Sequence, residues 1–361
     1  MSRRVLLLVP CVSTCLLAWG CGDDEASPDA GAVDASTTDS SMDVAESDID
    51  PMVCSDDSRG SGTTPTPVAS GAQSFTTELQ GCSLSAAEAA FCYGASHEST
   101  VVVEGGVRMI TGNAIPNHDV DLFPNAGNPN AIRAQSTAYS VTTTPTKTAT
   151  ATPLQVPGVV LNGIKMEPAT AESFNSEGVW RYAALTFGGR LTDDTTTMPG
   201  TTLGVDCNFA HVQPTGEYHY HGNPTGLTPT TPAVTHIGWA ADGFPVFARY
   251  GYETPGDISS PVAELTGSYR VRDGARVAIG TETVPGGDYD GTFEQDWVYD
   301  ETVGDLDECN GRDEMVTVDG ETFEYAYYLT HTYPFMPRCV WGTPDDSFVR
   351  RPGGGMMPPG M

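Results

Sequence analysis

From Met315 to Thr330 the chain reads MVTVDGETFEYAYYLT, two alternating apolar and polar runs around an Asp-Gly pair. This stretch limits the fold more than any other. Asp-Gly favours positive φ at both turn positions, and the tight turn returns the chain beside itself as an antiparallel hairpin. Phe323, Tyr325, Tyr327 and Leu329 share one face of the second strand, with His331 in phase if the strand continues. STVVVEGGVRMITG, residues 99–112, reads as another hairpin around Gly105-Gly106. The body is rich in Gly, Pro, Thr and Val, so its strands should be short and numerous. Helical signals are few. SLSAAEAAFC, residues 83–92, has a serine cap and good helix formers. PATAESFNSEGVWRYAAL, residues 168–185, is expected to hold one or two short helices. The expected fold is mainly β: twisted antiparallel sheets, sandwich-like, with long Gly/Pro-rich loops and few short helices.

The ends of the chain read differently. Arg3 and Arg4 precede VLLLVPCVSTCLLAW, an apolar run too short and too early for a typical spanning helix. It leads into Gly20-Cys21, and residues 1–21 resemble a bacterial lipoprotein signal in which Cys21 is lipidated. Ala18 and Trp19 stand where a leucine and a small residue are usual, so simple secretion with another cut site is the alternative. Both readings put the protein outside the cytoplasm, on the periplasmic side or the cell surface. Residues 22–53 carry ten carboxylates between Asp23 and Asp50 and no basic residue. Such a segment buries too little apolar surface to offset its ordering entropy, and reads as an acidic disordered tether. The tail RRPGGGMMPPGM lacks a packing pattern, and residues 346–361 are expected to be disordered. Between these lie a cysteine-bearing extension, 54–97, and the β domain, 98–345. The net charge of −30 argues against nucleic acid as a partner.

Beyond Cys21 the chain holds Cys54, Cys82, Cys92, Cys207, Cys309 and Cys339, an even set in an oxidising compartment. Disulfides are the default there, and no C-x-x-C suggests a zinc ribbon or a thioredoxin-type site. Six cysteines admit about 15 pairings, and spacing alone does not choose among them.

GEYHYHGNPTG, residues 216–226, places two of the seven histidines one residue apart, between tyrosines. On a strand His219 and His221 point the same way, with Cα atoms roughly 6.5–7 Å apart, while Tyr218 and Tyr220 point the other way. Two imidazoles so spaced can converge on one cation, zinc or copper. A catalytic zinc site typically uses three protein ligands and one open position. His211 lies upstream across a turn at Pro214-Thr215-Gly216, and His118 sits in a loop crowded with Asn, Pro and Gly. These two are the expected added ligands. His236 and His331 are further histidines near strand-like runs, and His97 reads as structural. Asp242 could orient His219 as a base. DLDECNGRDE, residues 305–314, fails the EF-hand pattern, since Cys309, Asn310 and Val316 occupy positions 5, 6 and 12, but an irregular calcium site remains an expectation. No G-x-S-x-G, P-loop or dinucleotide fingerprint occurs.

AHVQPTGEYHYHGNPTGL, HIGWAADGFPVFARYG, LDECNGR and YYLTHTYPFMPRCVWG, in that order, resemble the YHYH-domain family of secreted proteins. GNAIPNHDVDLFPNAGNPNAI is similar to the family's upstream segment, so the resemblance spans roughly residues 108–342. It puts Tyr218, His219, Tyr220 and His221 at the name-giving positions, and Asn117, His118, His211, Asp242, Asp307, Asn310 and Cys339 on motif positions. Because Cys309 and Cys339 flank the Asp-Gly hairpin and both fall in these motifs, they are expected to be bonded. The family name carries no established activity, so function must come from chemistry. The leading expectation is a surface-anchored lipoprotein whose His-x-His strand holds zinc or copper, with hydrolysis or copper redox chemistry as the classes open to it. The alternative is a metal-free module presenting Tyr, Trp and His groups to a glycan or peptide; a small molecule is a further possible ligand.

Overall fold

Asp319 and Gly320 both take positive φ, 52° and 82°, the backbone of a type I′ turn. Strands Gly311–Val318 and Glu321–Tyr328 pair antiparallel from that turn, starting with Val318 opposite Glu321. The Gly105-Gly106 turn is built the same way, with φ of 60° and 82°, between Ser99–Glu104 and Val107–Gly112. Thr137–Thr142 adds a third strand to that hairpin. The computed structural model describes residue 54, residues 82–125, 127–185 and 203–349. All belong to one unit, Asp43–Met361.

The larger sheet has eight strands. In spatial order they are Gly311–Val318, Glu321–Tyr328, Pro245–Phe247, His236–Ala240, Gly158–Val160, Lys165–Met166, Tyr218–Tyr220 and Ala210–Val212. Most neighbours are antiparallel, but Val246 lies beside Tyr327 and Tyr220 beside Met166 in parallel pairs. The sheet is thus mixed at these two places and antiparallel elsewhere. Tight turns enforce antiparallel pairing; strands brought together from far apart in the chain are free of that constraint. The three-stranded sheet shares one core with the large one, Ile110, Tyr139 and Val141 joining Val159, Trp239, Val246 and Tyr327. Between the layers the buried Arg108 guanidinium lies 3.5 Å from the centre of the Trp239 ring and pairs with Glu321. The fold is mainly β and sandwich-like.

Helix is scarce. Ala86–Tyr93 is α-helical, with a Ser85–Glu88 capping box and Gly94 in the left-handed region at its end. The helices expected within residues 168–185 are largely absent. Strands Ala169–Ser173 and Arg181–Ala183 pair with each other, and only Phe174–Ser176 makes a single 3-10 turn. Asn175 and Ser176 have positive φ, 52° and 58°, which a right-handed α-helix does not accommodate. Local propensity is overruled by burial: Phe174, Trp180 and Tyr182 all pack on Phe293. Residues 346–349, assigned above to the tail, belong to the fold. Asp346–Phe348 is a 3-10 turn, and buried Phe348 lies 4.8 Å from Tyr139 between ring centres.

Three disulfides join Cys54 to Cys92, Cys82 to Cys207 and Cys309 to Cys339. The first closes a loop within the extension, the second ties the extension to the β domain, and Leu84 and Ala89 enter its core. The signal-like segment 1–21, the tether 22–53 and tail residues 350–361 lie outside the described residues. Among the described residues no helix is long and apolar enough to cross a membrane.

The Cys309–Cys339 bridge closes a loop with a sequence separation of 30. Replacing both cysteines by serine should lower unfolding free energy by about 3–4 kcal/mol, the chain-entropy value for such a loop. Urea unfolding measures it; an unchanged midpoint would show that the bridge does not hold the hairpin to the strand Cys339–Val340.

Candidate metal centre

The turn ahead of the histidine strand is set by Gly216. Its φ is 90°, and a Cβ there would sit 2.6 Å from the Cβ of Arg133. Gly216 N donates to Gln213 O at 2.8 Å and Gln213 N to Glu217 O at 3.0 Å. The turn therefore aligns Ala210–Val212 with Tyr218–Tyr220, placing His211 directly opposite His219. His221 N donates to Phe209 O at 2.8 Å and carries the pairing one step further. Alternation then puts His211, His219 and His221 on one face. Their ring centres form a near-equilateral triangle of 4.6, 4.7 and 4.7 Å. One nitrogen from each lies within 4.8 Å of the others, so the three can hold a metal ion.

His219 and His221 are buried and His211 is half-buried. Burial is the largest cause holding all three below the usual imidazole range, well below for His219 and His221, where repulsion from neighbouring rings adds to it. They are therefore neutral near pH 7, with lone pairs available. The His211 Nδ1–H donates to Leu203 O at 2.9 Å, which leaves Nε2 as the acceptor atom. His219 Nδ1 lies 3.3 Å from Glu217 O. His221 lies near the Glu167 backbone, yet neither of its ring nitrogens has a partner in full hydrogen-bond geometry. Such a buried nitrogen is costly unless something occupies it.

The parallel neighbour adds charge. Met166 pairs with Tyr220, and Glu167 N donates to Tyr220 O at 2.9 Å, so Lys165 and Glu167 flank the histidines. Lys165 Nζ lies 3.1 Å from Glu167 Oε2 and 2.9 Å from Glu217 Oε2. Glu167 also accepts from Gln155 at 2.9 Å and Gln213 at 2.8 Å, and its Oε2 stands 3.8 Å from His219 Nε2. A cleft of about 450 Å³ opens in front, lined by the three histidines with Asn128, Glu167 and Glu172 among others. Sequence reasoning missed Lys165 and Glu167. Their signal was the alternation in GIKMEP, but nothing local says which strand it meets.

The tyrosines serve the other face. Tyr218 donates to Asp206 at 2.6 Å. Tyr220 lies 2.6 Å from His118 Nε2 and accepts from Asn162 at 2.9 Å. His118 Nδ1 is 2.8 Å from the Asp119 carbonyl and must donate to it, so Nε2 accepts the hydrogen bond from the Tyr220 hydroxyl. His118 is thus a brace behind the strand and stands apart from the cluster it was expected to join. Asn117 is one step further back, accepting from Asn162 at 3.0 Å.

The other expected site residues are also braces. Asp242 accepts from Tyr327 at 2.8 Å and from Gly342 N at 2.7 Å, and makes no bond to His219. Asp307 accepts from Tyr325 at 2.8 Å and Trp341 Nε1 at 2.9 Å. Asn310 donates to Tyr328 O at 2.8 Å. Asp305 is engaged with Thr266. With Asp307 turned inward, residues 305–314 bring together no three close carboxylate, imidazole or thiol ligand atoms; among the described residues the histidine triad is the group that does. His236 packs on Trp239, His331 bonds Arg249, and His97 bonds the Ile115 carbonyl.

Burial raises the Asp206 carboxyl to about 7, and the nearby Asp121 charge adds to this against the Tyr218 hydrogen bond. The native state thus keeps a proton that the unfolded chain releases near pH 4, so this group costs stability as pH rises from about 4 to about 7. Asp206→Asn should be more stable than wild type at pH 8 by up to about 4 kcal/mol, the gap shrinking toward zero by pH 4. Denaturant unfolding at several pH values tests this. A difference independent of pH would contradict it.

Residues 138–342 match the YHYH protein family, a span that includes the triad and its supporting tyrosines. The match begins downstream of GNAIPNHDVDLFPNAGNPNAI, the segment expected to open it. Neither the curated proteins nor the solved structures contain a match. Since the matched span exceeds half of the chain, the chain belongs to the YHYH family.

Proposed function

We propose that His211, His219 and His221 bind one divalent transition metal ion, zinc or copper, with an open position toward the cleft. The convergence of three neutral imidazoles, two of them buried and one with neither ring nitrogen in full hydrogen-bond geometry, carries this reading. Charge supports it. Lys165 is a single cation against Glu167 and Glu217, and Glu172 lines the same cleft. A divalent ion would offset the excess. Three imidazoles suit zinc or copper, and such an ion supplies either activation of a bound water for hydrolysis or one-electron chemistry. The alternative aromatic platform loses its central members, since Tyr218 and Tyr220 are wholly buried.

Elemental analysis of purified protein should find about one zinc or copper per chain, and His219→Ala with His221→Ala should remove it while the core keeps its fold. Because burial already disfavours imidazolium, binding should outlast acidification past pH 6.5 and fail only well below it. Wild type without metal, or a double variant that binds as well, would overturn the reading.

We also propose that the protein is an extracytoplasmic lipoprotein held by Cys21, with a small molecule, glycan or peptide rather than nucleic acid as the cleft's ligand. The three disulfides fit an oxidising compartment. Cys21→Ala should move the protein from the membrane fraction to the soluble one. A wild type that fractionates as soluble in its own host would refute the anchor.

A further inference from the structure

The cleft in front of the imidazoles is lopsided in charge. Its described lining contains Glu167 and Glu172 and no lysine or arginine. Lys165, the cation beside it, is 2 % exposed at its side chain and spends its ammonium on Glu167 and Glu217 within the wall. The other polar lining residues, Asn128, Asn130, Gln155, Thr170 and Gln213, are uncharged. Glu167 stands nearest the imidazoles, 3.8 Å from His219 Nε2. It is not free to swing away, because Gln155 holds Oε1 at 2.9 Å while Gln213 holds Oε2 at 2.8 Å.

We propose that Glu167 determines specificity at this site: it directs the position in front of the triad toward uncharged, hydrogen-bond-donating ligands and against anions such as carboxylates and phosphate esters. This rests on the metal reading above. A carboxylate can accept a hydrogen bond from an incoming hydroxyl or amide but cannot donate one. A second negative charge placed within a few ångströms, in a wall poor in water, is repelled strongly enough to alter affinity by about tenfold or more. Restraint by two amides and an ammonium keeps the carboxylate facing the same place whichever ligand enters. The volume, about 450 Å³, lies in the range of small-molecule sites.

The test uses the full chain loaded with copper(II), as wild type, Glu167→Gln and Glu172→Gln, with copper content measured first. Azide, an anion, is titrated by its charge-transfer absorption, and imidazole, neutral at pH 8, serves as the uncharged probe. Azide should bind Glu167→Gln about tenfold or more tightly than wild type, with imidazole affinity nearly unchanged. Glu172→Gln should give a smaller gain in the same direction, which carries the test should the first variant fail to fold. Equal azide affinities across all folded variants would overturn the proposal. So would an equal gain for imidazole, which would mean that the substitution merely opened the cleft. A wild type that takes up no copper or zinc instead overturns the metal reading itself, and shows this before any azide is added.

Discussion

The cross-strand pairing of His211 with His219 is the contact on which the candidate centre depends. Strand alternation supplies two imidazoles on one face for the span of three residues. The third is contributed by the partner strand, and only the register of the turn decides that it is His211. A slip of one residue would present Ala210 or Val212 instead and turn a histidine toward the core. Gly216 guards that register, because its left-handed backbone and the Arg133 side chain packed against it leave no room for a Cβ.

The opposite face shows what the tyrosines do. Tyr218 bonds Asp206, and the same device recurs across the large sheet: Tyr327 bonds Asp242, Tyr325 bonds Asp307, and Tyr328 bonds Glu314. Each pair sets a strand phenol against a carboxyl that is buried or, for Asp307, half-buried. Burial favours the protonated phenol in every case and raises Asp206, Asp242 and Asp307 above the usual carboxyl range. Asp206, Asp242 and Asp307 also accept backbone N–H groups from their own loops, so these pairs fasten irregular loops to a regular sheet. In a protein whose loops outweigh its strands, that is an economical way to fix loop position without lengthening the strands. It also explains why Asp242, Asp307 and Asn310 look like site residues in sequence: polar groups that fasten loops to the sheet through several hydrogen bonds are as demanding of residue type as chemical sites are.

Much of the architecture was legible locally. Asp319-Gly320 and Gly105-Gly106 specify their hairpins because turn backbone and residue type are tied by sterics over four residues. The Ser85 cap and Gly94 stop mark the helix for the same reason. The segment 168–185 was misread as helical because its alanines and glutamates favour helix weakly, whereas Phe174, Trp180 and Tyr182 find a shared neighbour in Phe293, more than one hundred residues away. His118 was misassigned by the same kind of error. Its loop is near the histidine strand, but on the far side of it, and side of sheet is not a local property.

By itself, the sequence determined that the chain would be mainly β, that His219 and His221 would share a face with the tyrosines on the other, and that His211 was within reach across a turn. These follow from alternation and turn chemistry, which act over a few residues. Only the tertiary structure decided that Lys165 and Glu167 stand beside the histidines, that His118 does not, and that Asp206, Asp242 and Asp307 serve the scaffold. Those outcomes depend on a parallel pairing between strands far apart in the chain and on which face each loop covers. Long-range pairing is settled by the burial of the whole core, a sum over many residues that no short stretch of sequence contains.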